Sequence, residues 1–236
     1  MGYVRYLTYG ILGTATFASG AQVNQYLRAG DENWDENWDG RAGAKTKATR
    51  HLYLIRHGNY LIDAELKDEK KLTELGIKQL NETGKYLQSL GLNYSDVTHS
   101  TLIRAIESCN IILNYLPKDI PKKFDDDLCE GLPYVPIPRR QSLSVAKDYD
   151  RIERAFKTYF HRADPEQKSD SHEIIVCHAN VIRYFVCRAL QVPPAAWLRM
   201  SLFHGSVTHV SIRPNGHVGV NTLGDIGFMP RHLLSR

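Results

Sequence analysis

Between about residues 50 and 230, short apolar runs alternate with amphipathic stretches. His51-Leu52-Tyr53-Leu54-Ile55 is mostly apolar, ends at Arg56-His57-Gly58, and predicts a buried strand. From Leu72-Thr73 to about Leu90 the spacing predicts a helix, with Thr73 as N-cap, Glu74 in the first turn and Gly91 past the end. Residues 96–99 predict a short strand, and Ser100 or Thr101 would cap a helix carrying Ile103, Ile106, Ile111 and Ile112. Residues 117–138 hold Pro117, Pro121, Pro133, Pro136 and Pro138, so they read as an irregular lobe long enough to carry function. Residues 145–160 predict a charged amphipathic helix, 173–177 a second buried strand ending at His178, and 179–190 a helix. Pro193-Pro194 opens a short helical turn. Residues 206–212 and 218–223 predict a hairpin around Asn215-Gly216. Alternation of this kind predicts the α/β class with a mostly parallel sheet.

The first 50 residues show another pattern. Residues 6–27 contain no charged side chain and are flanked by Arg5 and Arg28. Such a stretch is long enough for a membrane-spanning helix of about 20 residues. Thr8, Thr14, Thr16, Ser19, Gln22, Asn24 and Gln25 thin its apolarity, and Gly10, Thr14 and Ala18 repeat at four-residue spacing. Three readings stand: a single N-terminal membrane anchor, a cleaved targeting segment, since Asp31 is the first acidic residue, or a loose tail. Residues 31–39 repeat Asp-Glu-Asn-Trp in tandem and hold Trp34 and Trp38. That stretch reads as a docking peptide for another subunit, a solvated linker or an interfacial Trp anchor. Residues 40–49, small, basic and polar, read as a flexible linker. The resulting organisation is 1–30 anchor or targeting segment, 31–50 docking motif and linker, and 51–236 a folded domain.

Composition narrows the classes. The chain has 236 residues, 42% hydrophobic and 24% charged, which excludes a disordered, collagen-like or multi-span protein. A formal charge of +4 is too small to argue for nucleic acid, yet suits a small anion where the positive groups converge. Cys109, Cys129, Cys177 and Cys187 form no C-x-x-C pair and match no zinc spacing, so reduced core thiols are expected.

Two histidines occupy matched places. His57 and His178 each come directly after a predicted strand, and ligands of open parallel sheets bind beyond strand carboxyl ends. If the strands are neighbours, both imidazoles face one crevice. Arg104 falls in the first turn of the helix after residue 100, where it either grips the same anion as a fork or pairs with Glu107 at i+3.

In their order, Arg56-His57-Gly58, Ser100-x-x-x-Arg104-Ala105-x-Glu107 and His178-Ala179-Asn180 resemble the histidine phosphatase, or phosphoglycerate mutase-like, superfamily. The resemblance implies a three-layer α/β/α fold. It implies His57 as a nucleophile that forms phosphohistidine, with Arg56, Arg104 and His178 binding the phosphoryl oxygens. Glu130, in Leu128-Cys129-Glu130-Gly131, falls at the family's acid position, to protonate the leaving oxygen and later activate water. Gly58 would leave room for close phosphate approach. Neither metal nor cofactor is expected, because fixed cations take that role.

Residues 178–184, 211–216 and 224–230, with 34–39, are similar to the family's mitochondrial serine/threonine protein phosphatases. That implies phosphoserine and phosphothreonine protein substrates, and self-association with activation through Trp34, Asp35, Asn37, Trp38 and Asp39. It also implies a single-pass place in a mitochondrial membrane, outer rather than inner, and no nucleic-acid partner. The alternative is a small-metabolite phosphomonoesterase or mutase. However, Asn59-Tyr60 stand where sugar-phosphate mutases carry a Glu-Ser-type continuation. A scaffold with a vestigial pocket is the third reading, and the full residue set argues against it. The adaptor-docking Glu-Ser-Gly-Glu segment of those phosphatases is absent from residues 40–50, so adaptor binding does not carry over. His99 reads as structural, Asp125, Asp126 and Asp127 as solvated, and His51, His161, His172, His204, His209, His217 and His232 have no motif support.

Overall fold

A computed structural model describes residues 34–63, 70–140 and 146–236. The expected membrane or targeting segment lies outside the described residues. Among those described, no helix is long and apolar enough to cross a membrane. The sheet lies within Glu36–Arg236, a unit distinct from the residues before it.

Six strands form that sheet in the order β3-β2-β4-β1-β5-β6. They are β1 (Arg50–Arg56), β2 (Tyr94–Ser100), β3 (Lys122–Asp125), β4 (Ser171–Cys177), β5 (Val207–Ile212) and β6 (Val218–Asp225). The first four run parallel, and the β5–β6 hairpin closes one side antiparallel to β1. Alternation along the central strands feeds two cores. Leu52, Leu54, Ile175 and Cys177 join one face, under α3 (Tyr149–Tyr159) and α4 (Ala179–Ala189). Tyr53, Ile55, Ile174 and Val176 join the other, under α1 (Glu74–Ser89) and α2 (Ile103–Leu113). The result is a three-layer α/β/α sandwich with a mostly parallel sheet.

The caps of α1 form where its sequence places them. The Thr73 hydroxyl accepts from Gly76 N at 3.1 Å, and Gly91 sits at φ +63° beyond Leu90. Four expectations need correction. Neither Ser100 nor Thr101 caps α2: its N-cap is Leu102 without a side-chain bond, and the Ser100 hydroxyl, set before the helix, accepts from Leu102 N at 3.3 Å and pairs with His178 Nε2 at 2.8 Å. The proline-rich stretch is not wholly irregular, since it contains edge strand β3 and a 3-10 turn at Asp126–Leu128. Helix α3 starts at Tyr149, because the carboxylate of Asp148 is taken up by Leu132 N (2.8 Å) and Arg151 (3.1 Å). Residues 40–49 are not a free linker. Arg41 donates to Arg162 O (2.8 Å) and Asp164 (2.6 Å), Thr46 and Ala48 are buried, and Thr49 N donates to Asp170 at 2.7 Å. All four cysteines are free, and Cys129, unlike the others, is partly exposed beside the Thr101 hydroxyl at 3.2 Å.

Candidate active site

Strand register levels the ends of β1 and β4, with Arg56 opposite Cys177. His57 N donates to Cys177 O at 3.0 Å, and the rings of His57 and His178 lie 5.0 Å apart, both buried. One crevice therefore holds both imidazoles.

The protonation of His57 is set by its partners. Nδ1 lies 2.8 Å from the carbonyl of Gly58, which can only accept, and Nε2 lies 3.2 Å from Arg104 Nε, which can only donate. His57 is thus the neutral Nδ1–H tautomer, with a lone pair on Nε2 pointing into the crevice. Burial first, then His178, Arg104 and Arg56, hold its pKa well below the ordinary imidazole range. The pKa of His178 is likewise held well down by burial and by Arg104, Arg56 and Arg151.

Arg104, Arg56 and His178 all act on His57. Arg56 is tied back by its terminal nitrogens, to Leu202 O at 2.7 Å and His204 Nε2 at 2.8 Å. Its Nε is buried with no partner. The same holds for His178 Nδ1 and Arg183 Nε. Buried guanidinium N–H groups without a partner, as on Arg56 and Arg183, are what an oxyanion would satisfy. Burial lowers Arg56 to about 10, still cationic at neutral pH. Burial also lowers Arg104 and Arg183 from the usual guanidinium range. Arg104 does not pair with Glu107, whose carboxylate accepts from Leu72 N at 2.7 Å instead.

Glu130 sits on a held loop. Arg151 donates to Cys129 O (2.8 Å) and Glu130 O (3.4 Å), and Asn180 Nδ2 to Gly131 O (3.0 Å). Burial raises the carboxyl's pKa, although Gly131 N–H, Arg104, Arg56 and Arg183 pull the other way. The net direction favours an acid form that outlasts an ordinary carboxylic acid as pH rises.

Gly58 is also hemmed in on its helix side. A Cβ there would meet Leu80 Cδ2 at 2.3 Å and Gly76 O at 2.8 Å. The glycine lets α1 pack directly on the turn that follows His57. From the other side, a Cβ on Gly76 would lie 2.0 Å from Asn59 O.

Four further residues line this place without having been singled out for it by the sequence. Tyr60 packs edge-on to His57 at 5.1 Å and lies under the Arg104 guanidinium at 4.7 Å. Ser100 orients His178. Arg183 is on α4, its buried Nε without a partner. His204 comes from a loop with no motif at all.

Of the expected docking residues, Trp34 and Asp35 fall in the Met1–Asp35 unit. Asn37, Trp38 and Asp39 belong to the catalytic unit. Trp38 is half-buried, its Nε1 donates to Gly216 O at 2.9 Å, and its ring packs 6.2 Å from Phe156. The Asp39 side chain is fully buried, accepting from Arg162 N at 2.7 Å and pairing with its guanidinium at 3.4 Å. Asn37 Oδ1 accepts from Ala42 N at 2.8 Å.

A family model described as histidine phosphatase superfamily (branch 1) matches residues 52–134 and 132–223. The chain is similar to the human protein named serine/threonine-protein phosphatase PGAM5, mitochondrial, at 45% identity over 89% of this chain and 82% of that protein. The Caenorhabditis elegans protein of the same name is 43% identical, over 86% and 80%. Among solved structures, a phosphoglycerate mutase from Plasmodium falciparum is 33% identical with a TM-score of 0.56, covering 75% of this chain and 92% of its own. YhfR of Bacillus stearothermophilus, 19% identical with a TM-score of 0.58 over 77% and 100%, shows the shared fold.

Proposed function

This chain belongs to the histidine phosphatase superfamily, and from that premise we propose that it dephosphorylates phosphoserine and phosphothreonine in proteins through a phosphohistidine on His57. One observation carries the chemistry: a neutral imidazole whose unprotonated Nε2 accepts from Arg104, in the field of Arg56, whose own buried Nε–H has no partner. The names of the relatives, serine/threonine-protein phosphatases, support the substrate class.

Two displacements balance atoms and charge. The phosphoryl dianion enters between Arg56, Arg104, His178 and Arg183, and His57 Nε2 attacks phosphorus. The N–P bond forms as the P–O bond to serine or threonine breaks. Glu130 gives its proton to the departing oxygen, which would otherwise leave as a poor alkoxide. Water then replaces the hydroxyl product. Glu130 takes a proton from it, the new P–O bond forms, the N–P bond breaks, and phosphate departs with the enzyme restored. The guanidinium groups meet the charge of the transition state in a buried site, where one such donor is worth about 10²–10³-fold.

The same reading places the protein at a mitochondrial membrane through residues 6–27, the relatives' mitochondrial location supporting the compartment. It also has the chain self-associate through Trp34, Asp35, Asn37, Trp38 and Asp39. A metabolite phosphomonoesterase or mutase is the second reading, favoured by the Plasmodium falciparum mutase and opposed by Asn59-Tyr60.

The test offers phosphopeptides and 3-phosphoglycerate side by side to purified protein. Phosphate release from the peptides is expected to dominate, and His57→Ala to lower it by on the order of 10³-fold or more. Preference for 3-phosphoglycerate, or isomerisation of it, would overturn the substrate class. Undiminished activity in His57→Ala would remove the nucleophile.

A further inference from the structure

The loop at 203–206 runs beside the end of β1. Gly205 N donates to Arg56 O at 3.1 Å, and Arg56 N to Ser206 O at 3.2 Å. This pairing sets His204 against the guanidinium that precedes the nucleophile. The His204 ring lies 5.6 Å from that of His57, and both are buried.

His204 also touches the 231–236 segment. His204 N donates to Ser235 O at 3.0 Å, and Nδ1 lies 2.9 Å from the Ser235 hydroxyl. The proton positions are fixed by what each partner is able to do. Arg56 Nη2 can only donate, so His204 Nε2 accepts, and the ring proton sits on Nδ1, donated to Ser235. The serine is itself anchored. Gln79, fully buried on α1, donates to Ser235 Oγ at 2.8 Å and Leu233 O at 2.6 Å, while its carbonyl accepts from Asn59 N at 2.8 Å. A chain of bonds therefore runs Gln79, Ser235, His204, Arg56.

We infer that His204 is a positioning residue that holds the Arg56 guanidinium for phosphate, and that Ser235 holds His204 in the tautomer able to do so. The geometry gives the reason. Free arginine side chains sample many rotamers, and ordering one on binding costs affinity. Here Leu202 O and His204 Nε2 take the two terminal nitrogens in advance. Nε and the remaining N–H groups are left to face the phosphoryl oxygens, with no reorganisation when the dianion arrives. Ser235 matters at one remove. Without an acceptor at Nδ1, the ring is free to carry its proton on Nε2, where it would oppose a donor with a donor.

This inference rests on the reading of Arg56 as a phosphate ligand. Inorganic phosphate binding to the full chain, measured by calorimetry, tests it without reference to turnover. Kinetics on a phosphopeptide and a thermal melt accompany each variant. His204→Ala is expected to weaken phosphate about tenfold, the loss of one hydrogen bond to a charged group, with a matching fall in kcat/KM. His204→Gln returns an acceptor near the Nε2 position and is expected to recover most of that loss. Ser235→Ala is expected to weaken phosphate about threefold in the otherwise native protein and not at all in the His204→Ala background. Unchanged phosphate affinity in folded His204→Ala would overturn the inference. An equal Ser235→Ala effect in both backgrounds would do the same, as would a His204→Gln protein no better than His204→Ala. If His204→Ala does not fold, Ser235→Ala and His204→Gln decide the matter between them. Arg56→Ala separates the two levels: phosphate bound as tightly as by the unaltered protein would overturn the phosphate site itself.

Discussion

Glu130 is the side chain on which the proposed leaving-group chemistry turns. Burial raises its pKa, so the acid form persists above the ordinary carboxylate range. The rate on phosphoserine peptides is therefore expected to fall as pH rises through that elevated value, because the proton for the leaving oxygen is lost. His57 adds no limb near the usual imidazole pKa of about 6.5, because burial and three cationic or imidazole neighbours hold it neutral far below that pH. Glu130→Gln is expected to remove the alkaline fall and slow peptide turnover by roughly 10²–10⁴-fold. The first-turnover burst from p-nitrophenyl phosphate, whose leaving group needs no proton, should lose far less. Equal losses on the two substrates would dismiss Glu130 as the acid. His57, Arg104 and His178 stand out by motif order and Ser100 opens one of those motifs, whereas nothing along the chain marks His204 or Tyr60 as a site residue. A loop histidine acquires meaning only from what it faces.

At the scale of elements, the turn after β1 and the helix α1 are one unit. Gly76 presents bare backbone to Asn59 O, and Gly58 to Leu80. Gly76→Ala is expected to push this turn away from the helix, lowering the melting temperature and activity together. An alanine variant as active as the native protein would show the contact to be dispensable. At the opposite end of the sheet, Arg50 and Glu173 join β1 to β4 through a fork, with Arg50 also donating to Tyr159 O and His161 O at 2.9 Å. Burial alone would raise Glu173, but Arg50 overcomes it and holds the carboxyl below its usual range. A carboxylate depressed on folding contributes stability above its unfolded pKa of about 4.3, and that contribution fades as pH falls through the folded value. Breaking such a buried pair is expected to cost about 3–5 kcal/mol. Glu173→Gln should therefore unfold more easily in urea at pH 7 and show a flatter decline below pH ~4.3. An unchanged acid limb would remove the pair's role. Caps and periods along α1 and the two central strands were readable because they are local. The β3 edge and the late start of α3 were not, because pairing with β2 and the loop at 130–132 decide them.

At the scale of the whole Glu36–Arg236 unit, Trp38 and Asp39 fasten its first residues to the rest of that unit. The indole reaches Gly216 O and Phe156, and Asp39 closes on Arg162. Exposed aromatic repeats suggested a peptide offered to a neighbour, and these anchoring contacts give Trp38 an intramolecular task as well. Trp38→Ala is expected to destabilise the unit by about 2 kcal/mol, less than a fully buried aromatic would. An unshifted thermal melt would count against that anchoring. The proposed self-association reads out separately: the same variant should elute later from a sizing column and lose activity in parallel, and no change in elution would end the docking role.

The sequence by itself determined the ends of the two central strands and the caps of α1, and so put His57 and His178 at strand ends and Arg104 in a first helical turn, where backbone groups and dipoles favour an anion. Such information is local, carried by side-chain period and capping chemistry over a few residues. Only the tertiary structure decided that β4 lies between β2 and β1, because strand order is set by burying two apolar faces at once across long loops. That order makes neighbours of residues more than a hundred positions apart. It also brings His204 and Ser235 behind Arg56, a contact that no pattern along the chain encodes.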